Sequence, residues 1–262
     1  MKRALALAVV AAAFLAACGG DDGGDGALHG ADDKLAEVES GTLHVRLETA
    51  AADSGPVGFD LDGRFAEGDG EYPVLDLTAT RLLGDTELAT QVLSTGDAVF
   101  VTVDDTTYEV PEEDAGELAG LGLGGLDVAG WVLDPQESDG EEVDGVATRR
   151  ITGRLDVVAL LADLAAVEIR SGGEALPELD DEAEERLRAL VQDDEVEVLV
   201  GADDGIVRRV RASAELAGTV PAELQDALGR VANARLEVLV ELGDLGADVQ
   251  VAAPDDAQPL PG

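Results

Sequence analysis

The chain has 262 residues and a formal net charge of −40, because 57 Asp and Glu residues stand against 17 Lys and Arg. This balance excludes nucleic-acid binding through phosphate contacts, which require clustered Lys and Arg. It also argues against electrostatic adhesion of the surface to anionic lipid headgroups. Hydrophobic residues make up 45% of the chain, which is enough for a sizeable core, whereas aromatic residues make up only 3%.

The N-terminus predicts a bacterial lipoprotein signal peptide, residues 1–17. Lys2 and Arg3 are basic, residues 4–15 are an unbroken apolar run, and Ala-Ala directly precedes Cys18. The run is too short to span a membrane, which takes about 20 apolar residues. Cleavage before Cys18 and transfer of diacylglycerol to its sulfur are therefore predicted. The alternative is a plain secretory signal that ends at a cysteine by chance.

Cys18 is also the predicted membrane attachment. It is the only cysteine in the chain, so no disulfide framework exists. Removal of residues 1–17 leaves 15 basic against 57 acidic residues, which rules out a basic membrane-binding patch. An acylated cysteine with two or three chains gives stable anchoring. Residues 18–30, rich in Gly and Asp, predict a flexible tether. The predicted location is the extracytoplasmic face of the cell membrane.

The first half of the folded region predicts an antiparallel meander. A short helix is expected over 32–39, and apolar and polar residues then alternate with period two between turns rich in Gly and Asp. The expected strands are 43–47, 57–61, 75–79, 88–93, 99–103 and 107–110.

The second half adds helices and returns to strands. Helices are expected over 111–118, from Asp156, after Pro177 and over 219–229. The expected strands are 143–153, 196–200, 206–216, 236–242 and 247–251, followed by a disordered tail, 253–262. The predicted class is α+β, with one domain over 31–252 and helices on one face of a large antiparallel sheet.

The apolar side of the early strands is the candidate ligand-binding surface. A strand that alternates apolar and polar residues buries one face, and the buried face either borders a cavity or packs a filled core. The residue pattern leaves both alternatives open. Trp131 joins the candidate set, with packing in the core as its alternative role. The candidates are Leu43, Val45, Leu47, Phe59, Leu61, Leu75, Leu77, Val99, Val101 and Trp131.

Catalysis, metals and cofactors are not predicted. His29 and His44 are isolated, so no zinc site is expected, and no calcium-binding loop is present. No Gly-x-Ser-x-Gly nucleophile motif occurs, which leaves a hydrolase as a third and weaker class. Residues 120–125 match the glycine spacing of a dinucleotide-binding loop but lack the preceding strand and the following helix.

Four short motifs resemble elements of the LppX/LprAFG family of lipoproteins, in the wider LolA/LolB-like group. They are residues 40–43 (Ser-Gly-Thr-Leu), 97–101 followed by Tyr108, 130–132 (Gly-Trp-Val), and 146–153 followed by Asp156. The sequence departs from the family pattern in the glycine-rich segment 119–130, in its acidity and in its long C-terminal part.

The resemblance implies a half-barrel, in which a curved antiparallel sheet holds helices on its concave face and encloses an apolar cavity for acyl chains. It further implies a non-enzymatic lipoprotein that carries or presents a membrane lipid or lipoglycan in the cell envelope, with a possible transport partner. The alternative is a structural or protein-interaction lipoprotein whose core is filled.

Overall fold

One open sheet of twelve strands runs through the described residues, which are 25–51, 54–68, 70–115, 126–170, 180–219 and 232–260 of the computed structural model. The strands are β1 Ser40–Ala51, β2 Ser54–Ala66, β3 Val74–Leu83, β4 Thr86–Thr95, β5 Val99–Val103, β6 Thr106–Glu109, β7 Val132–Asp139, β8 Thr148–Leu155, β9 Val191–Gly201, β10 Val207–Thr219, β11 Ala232–Gly243 and β12 Gln258–Pro259. Their order is β12-β6-β5-β4-β3-β2-β1-β11-β10-β9-β8-β7. Only the β12–β6 pair is parallel among these strands.

Helical segments before and between the strands complete the fold. They are α1 Asp25–Ala36, α2 Glu112–Ala115, a 3₁₀ turn Val128–Trp131, α3 Val157–Arg170 and α4 Asp181–Leu190. The main contacts of α1 and α4 with the sheet are to β9 and β10, and α3 packs on the 3₁₀ turn and on α4. The structure confirms the predicted α+β class with a large antiparallel sheet and associated helices.

The meander follows from its turn residues. Gly84 has φ +66° between β3 and β4, where glycine adopts a left-handed conformation at no steric cost. Asp104 (φ 48°) and Asp105 (φ 63°) link β5 and β6. Two consecutive positive φ values are typical of the tight hairpin turns whose twist matches that of the strands. These are the Gly- and Asp-rich turns predicted between the strands 75–79 and 88–93 and between the strands 99–103 and 107–110, and both are confirmed.

Acidic side chains begin the two long C-terminal helices. The N–H groups of Val158 and Ala159 donate to Asp156 Oδ1 at 3.0 and 3.2 Å, which confirms the predicted start of α3. Ala183 N–H donates to Asp180 Oδ1 at 2.8 Å at the start of α4. Each bond satisfies a backbone donor that the first helical turn leaves free.

The hydrophobic core lies between these helices and strands β8–β11. Leu28, Leu160 and Leu187 from the helices are at most 1% exposed. They join a cluster with every second residue of the strands, including Val198 and Val210, which are fully buried. The alternation of the sequence therefore buries one face of this half of the sheet under helices.

Two boundaries at the N-terminal side differ from prediction. Helix α1 begins at Asp25, inside the segment predicted to be a flexible tether and before the helix expected over 32–39. Leu28, Ala31 and Leu35 are spaced so that they share one helix face, and all three are buried in the core. This packing outweighs the Gly and Asp content on which the tether prediction rested. Residues 18–24 lie outside the described part.

The region around β7 and β8 also differs. Residues 132–139 form a strand that was not predicted, and β8 starts at Thr148 instead of at residue 143. Val143 and Val146 pair across a tight turn, in which Asp144 and Gly145 have positive φ values, so the chain reverses before β8 begins.

The C-terminal predictions were wrong at two places. No strand forms over 247–251, because Asp244 and Gly246 have positive φ values and turn the chain away from the sheet after β11. Within the predicted disordered tail, Gln258 and Pro259 pair with β6, and Leu260 N–H donates to Glu109 O at 3.2 Å. Nearly all of the predicted helix 219–229 lies outside the described residues; Thr219 ends β10.

The pairing of β12 predicts a role for the tail in solubility. Deletion of residues 254–262 should expose the edge of β6 and increase self-association, because an unpaired strand edge is a template for intermolecular pairing. Light scattering of the full chain and the deletion variant measures this. Removal of residues 261–262 alone is the control and should cause no increase. Equal scattering by both deletion variants would contradict the edge-covering role.

Candidate functional site

The nine strand residues predicted to contact a ligand lie on one face of the sheet. In an antiparallel pair, residues directly opposite each other share a face. Leu47 lies opposite Phe59, Leu61 lies opposite both Val45 and Ala79, and Leu77 lies opposite Val92, which in turn lies opposite Val101. The apolar face of β1–β5 is defined here by Leu43, Val45, Leu47, Val57, Phe59, Leu61, Phe65, Leu75, Leu77, Leu83, Leu88, Val92, Val99, Val101 and Val103.

Side-chain exposure on this apolar face increases from the end of the strands that holds Leu75 and Val99 to the end that holds Leu83 and Leu88. Leu75, Leu77 and Val99 are buried, and most of the remaining residues are half-buried. At the other end, Leu83 is 42% exposed, Leu88 54% and Val103 42%. Five large hydrophobic side chains of the described residues are exposed, and these three lie together on one face. Clustered exposed apolar residues are typical of a binding surface, whereas single ones are common on any protein.

Charged residues of β1–β4 are segregated to the opposite face. Arg46 pairs there with Glu48 at 2.7 Å and with Asp60 at 3.4 Å, and Arg64 pairs with Asp76. The hydrogen bond with Glu48 raises the pKa of Arg46 above its ordinary value. These pairs are partly solvated, and they leave the apolar face free of carboxylates.

Arg81 is the exception, and it was missed at the sequence level. It is the only charged side chain on the apolar face of β1–β5, where it lies directly opposite Phe59 and Leu88. The sequence contained a signal for it, because Arg81 occupies the next alternate position after residues 75, 77 and 79, which are apolar and share one face of the strand.

Two pockets formed by described residues meet the apolar face only at Leu43. One, of about 270 Å³, has a charged lining that includes His44, Asp62, Arg209 and Glu241. The other, of about 440 Å³, is lined by residues from 41–42, 64 and 244–249. Of the nine predicted strand residues, Leu43 alone borders one of these two pockets. The apolar face is thus a partly exposed sheet surface in the described residues.

Contacts between charged and polar side chains of several strands surround the charged pocket. Arg209 Nε lies 2.5 Å from Glu241 Oε1, and its Nη1 pairs with Glu141. Burial acts to lower the pKa of Arg209, but the two hydrogen bonds outweigh burial and raise the pKa above its ordinary value. His44 lies 3.3 Å from Asp60 and 3.7 Å from Glu241. These contacts join β1, β2, β10, β11 and the loop before β8, so they link neighbouring strands of the sheet.

Trp131 lies apart from the other candidates, at the 3₁₀ turn beneath α1 and α3. It is fully buried, and its Nε1–H donates to Asp163 Oδ2 at 2.8 Å. Asp163 Oδ2 also accepts from Asp127 N–H at 2.9 Å. The indole therefore belongs to the hydrophobic core of the helix-covered half.

Other predicted features have no described counterpart. Cys18, the side chain of His29 and the glycine motif 120–125 lie outside the described part of the chain. Across the side chains that the structure describes, no group of three or more His, Cys, Asp or Glu residues is arranged to hold a metal ion. Among the described helices, none combines the length and hydropathy needed to cross a membrane.

Comparisons with known proteins find structural similarity. LprF from Mycobacterium bovis aligns at a TM-score of 0.49 and 15% identity, over 89% of this chain and 97% of LprF. The lipoprotein LppX from Mycobacterium tuberculosis aligns at 0.42 and 16%, over 87% and 97%. A LolA superfamily protein from Nitrosomonas europaea aligns at 0.21 and 13%, over 85% and 94%. No protein-family model and no curated protein matches the sequence. LprF and LppX carry the names of the LppX/LprAFG family, to which the sequence motifs show a resemblance.

Proposed function

We propose that this protein is a lipoprotein, anchored through Cys18 at the extracytoplasmic face of the cell membrane, that binds lipid acyl chains and carries or presents them in the envelope. The observation that supports binding is the apolar face of β1–β5, with Leu83, Leu88 and Val103 exposed together. Each methylene group buried on such a surface contributes roughly 0.8 kcal/mol. The bound molecule would be a membrane lipid or lipoglycan, and a transport partner in the envelope would receive it.

The apolar face is unusual for a chain of this charge. In a protein with 57 acidic residues, solubility alone would favour carboxylates at exposed strand positions. The described strands instead place acidic residues on one side and exposed leucine and valine on the other. An acyl chain is the simplest partner for such a face, because it needs apolar contact and offers no hydrogen bonds. No catalytic group, cofactor or nucleic acid is needed for this function.

A second candidate function is a structural or protein-interaction lipoprotein. The core beneath the helices favours it, since Trp131, Leu160 and Leu187 are fully buried there. The lipid-binding function concerns strands β1–β5, whereas the structural function concerns the strands covered by helices. Whether lipid binds to the apolar face of β1–β5 therefore distinguishes the two functions.

Native mass spectrometry of the full chain, processed by a bacterial host and purified in mild detergent, tests the proposal. The expected protein mass lacks residues 1–17 and includes acyl groups on Cys18, and gentle activation should release an additional non-covalent lipid. After organic extraction, the protein should take up added phospholipid in a saturable way. An acylated protein that holds no lipid and takes up none would favour the structural candidate. A protein without acylation would contradict the anchor.

A further inference from the structure

Arg81 has no partner within the described part of the chain. Its side chain is exposed and takes part in no hydrogen bond or ion pair with the described residues. Each other arginine of the twelve strands lies within 4.0 Å of a carboxylate oxygen. In a chain with 57 acidic and 17 basic residues, an arginine without an acidic neighbour is the exception.

The surroundings of Arg81 explain why it is unpaired. Its direct cross-strand neighbours are Phe59 and Leu88, and Ala79 and Leu83 flank it on the same face of β3. The nearby acidic residue of β4, Glu87, lies opposite Leu82 and so projects to the other face. A guanidinium can lay its methylene stem on apolar surface while its five N–H donors stay available.

We propose that Arg81 binds the anionic headgroup of a lipid whose acyl chain lies along the apolar face, so that the ligand class is an anionic-headgroup lipid. This inference rests on the proposed function and specifies its ligand. A guanidinium matches phosphate or carboxylate oxygens with paired hydrogen bonds, which an acyl chain cannot supply.

The position of Arg81 along the strand fits one acyl chain. Arg81 lies near the exposed end of the face, beside Leu83 and Leu88, whereas Leu75 and Leu77 are buried at the other end. Six residues of strand separate positions 81 and 75, which is roughly 20 Å at the rise of a β-strand. An acyl chain in one leaflet covers roughly 15 Å, half of the hydrocarbon thickness of a bilayer. A headgroup at Arg81 thus places its chain against the half-buried Phe59, Leu61 and Val92, which precede the buried Leu77 on this face.

The test compares two lipids with the same acyl chains. The full chain, processed and extracted as above, is incubated with an equimolar mixture of dioleoyl phosphatidylglycerol and dioleoyl phosphatidylcholine, and each bound lipid is counted by native mass spectrometry. We expect the wild type to prefer phosphatidylglycerol by roughly fivefold, the upper range of an exposed ion pair. The net charge of the protein opposes this preference, so a local cation must supply it.

Variants then locate the preference. R81Q should bind both lipids equally while it still binds phosphatidylcholine, and R81K should keep part of the preference. R211Q makes the same charge change at Arg211, on the opposite face of β10, and should behave as the wild type. Inorganic phosphate at the lipid concentration should not displace phosphatidylglycerol, because it has no acyl chain.

Each other outcome overturns the inference in a distinguishable way. If the wild type binds both lipids equally, Arg81 does not select the headgroup, although the proposed function stands. If R211Q loses the preference as R81Q does, net charge and not Arg81 is responsible. Displacement by inorganic phosphate identifies a phosphate site instead of a lipid site. If neither lipid binds to the wild type, the proposed function itself fails.

Discussion

Replacement of Leu88 by aspartate should weaken phospholipid binding by about tenfold to a hundredfold, because a carboxylate on the apolar face must lose water when an acyl chain covers it. Leu88 is 54% exposed and lies on the same face as Phe59 and Arg81. Its exposure means that the folded protein loses little, within about 0.5 kcal/mol of unfolding free energy. Titration of the extracted protein with a fluorescent phospholipid measures the change.

The neighbouring residue supplies a matched control. Ala89 is exposed and lies opposite Thr80, so its side chain projects from the other face of the same strand. A89D adds the same charge one residue away and should bind phospholipid as the wild type does. Equal loss of binding in L88D and A89D would show that the effect is not specific to the apolar face.

The second large effect concerns stability. Replacement of Trp131 by alanine should reduce the free energy of unfolding by about 3–5 kcal/mol, the usual cost of truncating a buried aromatic residue. Trp131 is 0% exposed and lies in the 3₁₀ turn that packs against α1 and α3. Urea denaturation followed by far-ultraviolet circular dichroism measures this, since Trp131 is the only tryptophan and its fluorescence is lost.

W131F separates packing from hydrogen bonding. Phenylalanine keeps an aromatic ring but removes the Nε1–H donor to Asp163, which should reduce the free energy of unfolding by about 1–3 kcal/mol. Both variants should bind phospholipid as the wild type under conditions where they are folded. Loss of lipid binding by folded W131F, with unchanged stability, would instead assign Trp131 to the ligand-binding site, the role for which the sequence makes it a candidate.

The apolar face could be predicted from the sequence because strand side chains alternate with a fixed period of two. Leu43, Val45 and Leu47 therefore fall on one face whatever the strand boundaries are. Pairing to Leu61 and Phe59 then follows from the short turns of the meander, which leave few alternative registers. The turn at Gly84 was found for a similar local reason, since its conformation suits glycine.

The features that were missed depend on tertiary contacts. Helix α1 forms within a Gly- and Asp-rich segment because Leu28 and Leu35 reach the core, which composition does not reveal. Strand β12 is only two residues long and pairs with a strand about 150 positions earlier in the chain. Arg81 was missed because the sequence alone does not show which residues lie opposite it. Only the strand pairing shows that its cross-strand neighbours are apolar.

The two halves of the sheet differ in how their apolar residues are buried. Strands β8–β11 and the helices form the buried core that stabilises the fold, with Trp131 and Leu187 fully buried. Strands β1–β5 present apolar residues on one side and paired charges on the other. A lipid-binding function would place the ligand on the apolar side of β1–β5 and leave the charged side in water.

Photo-crosslinking can locate a bound acyl chain on the sheet. The extracted protein is loaded with a phosphatidylglycerol that carries a diazirine in its acyl chain, irradiated, digested and mapped by mass spectrometry. We predict adducts on the apolar face, at residues such as Phe59, Leu88 and Val101, which excess unlabelled lipid suppresses. Adducts on the opposite face, at positions such as Thr80 and Ala89, or labelling that unlabelled lipid does not suppress, would contradict this placement of the lipid.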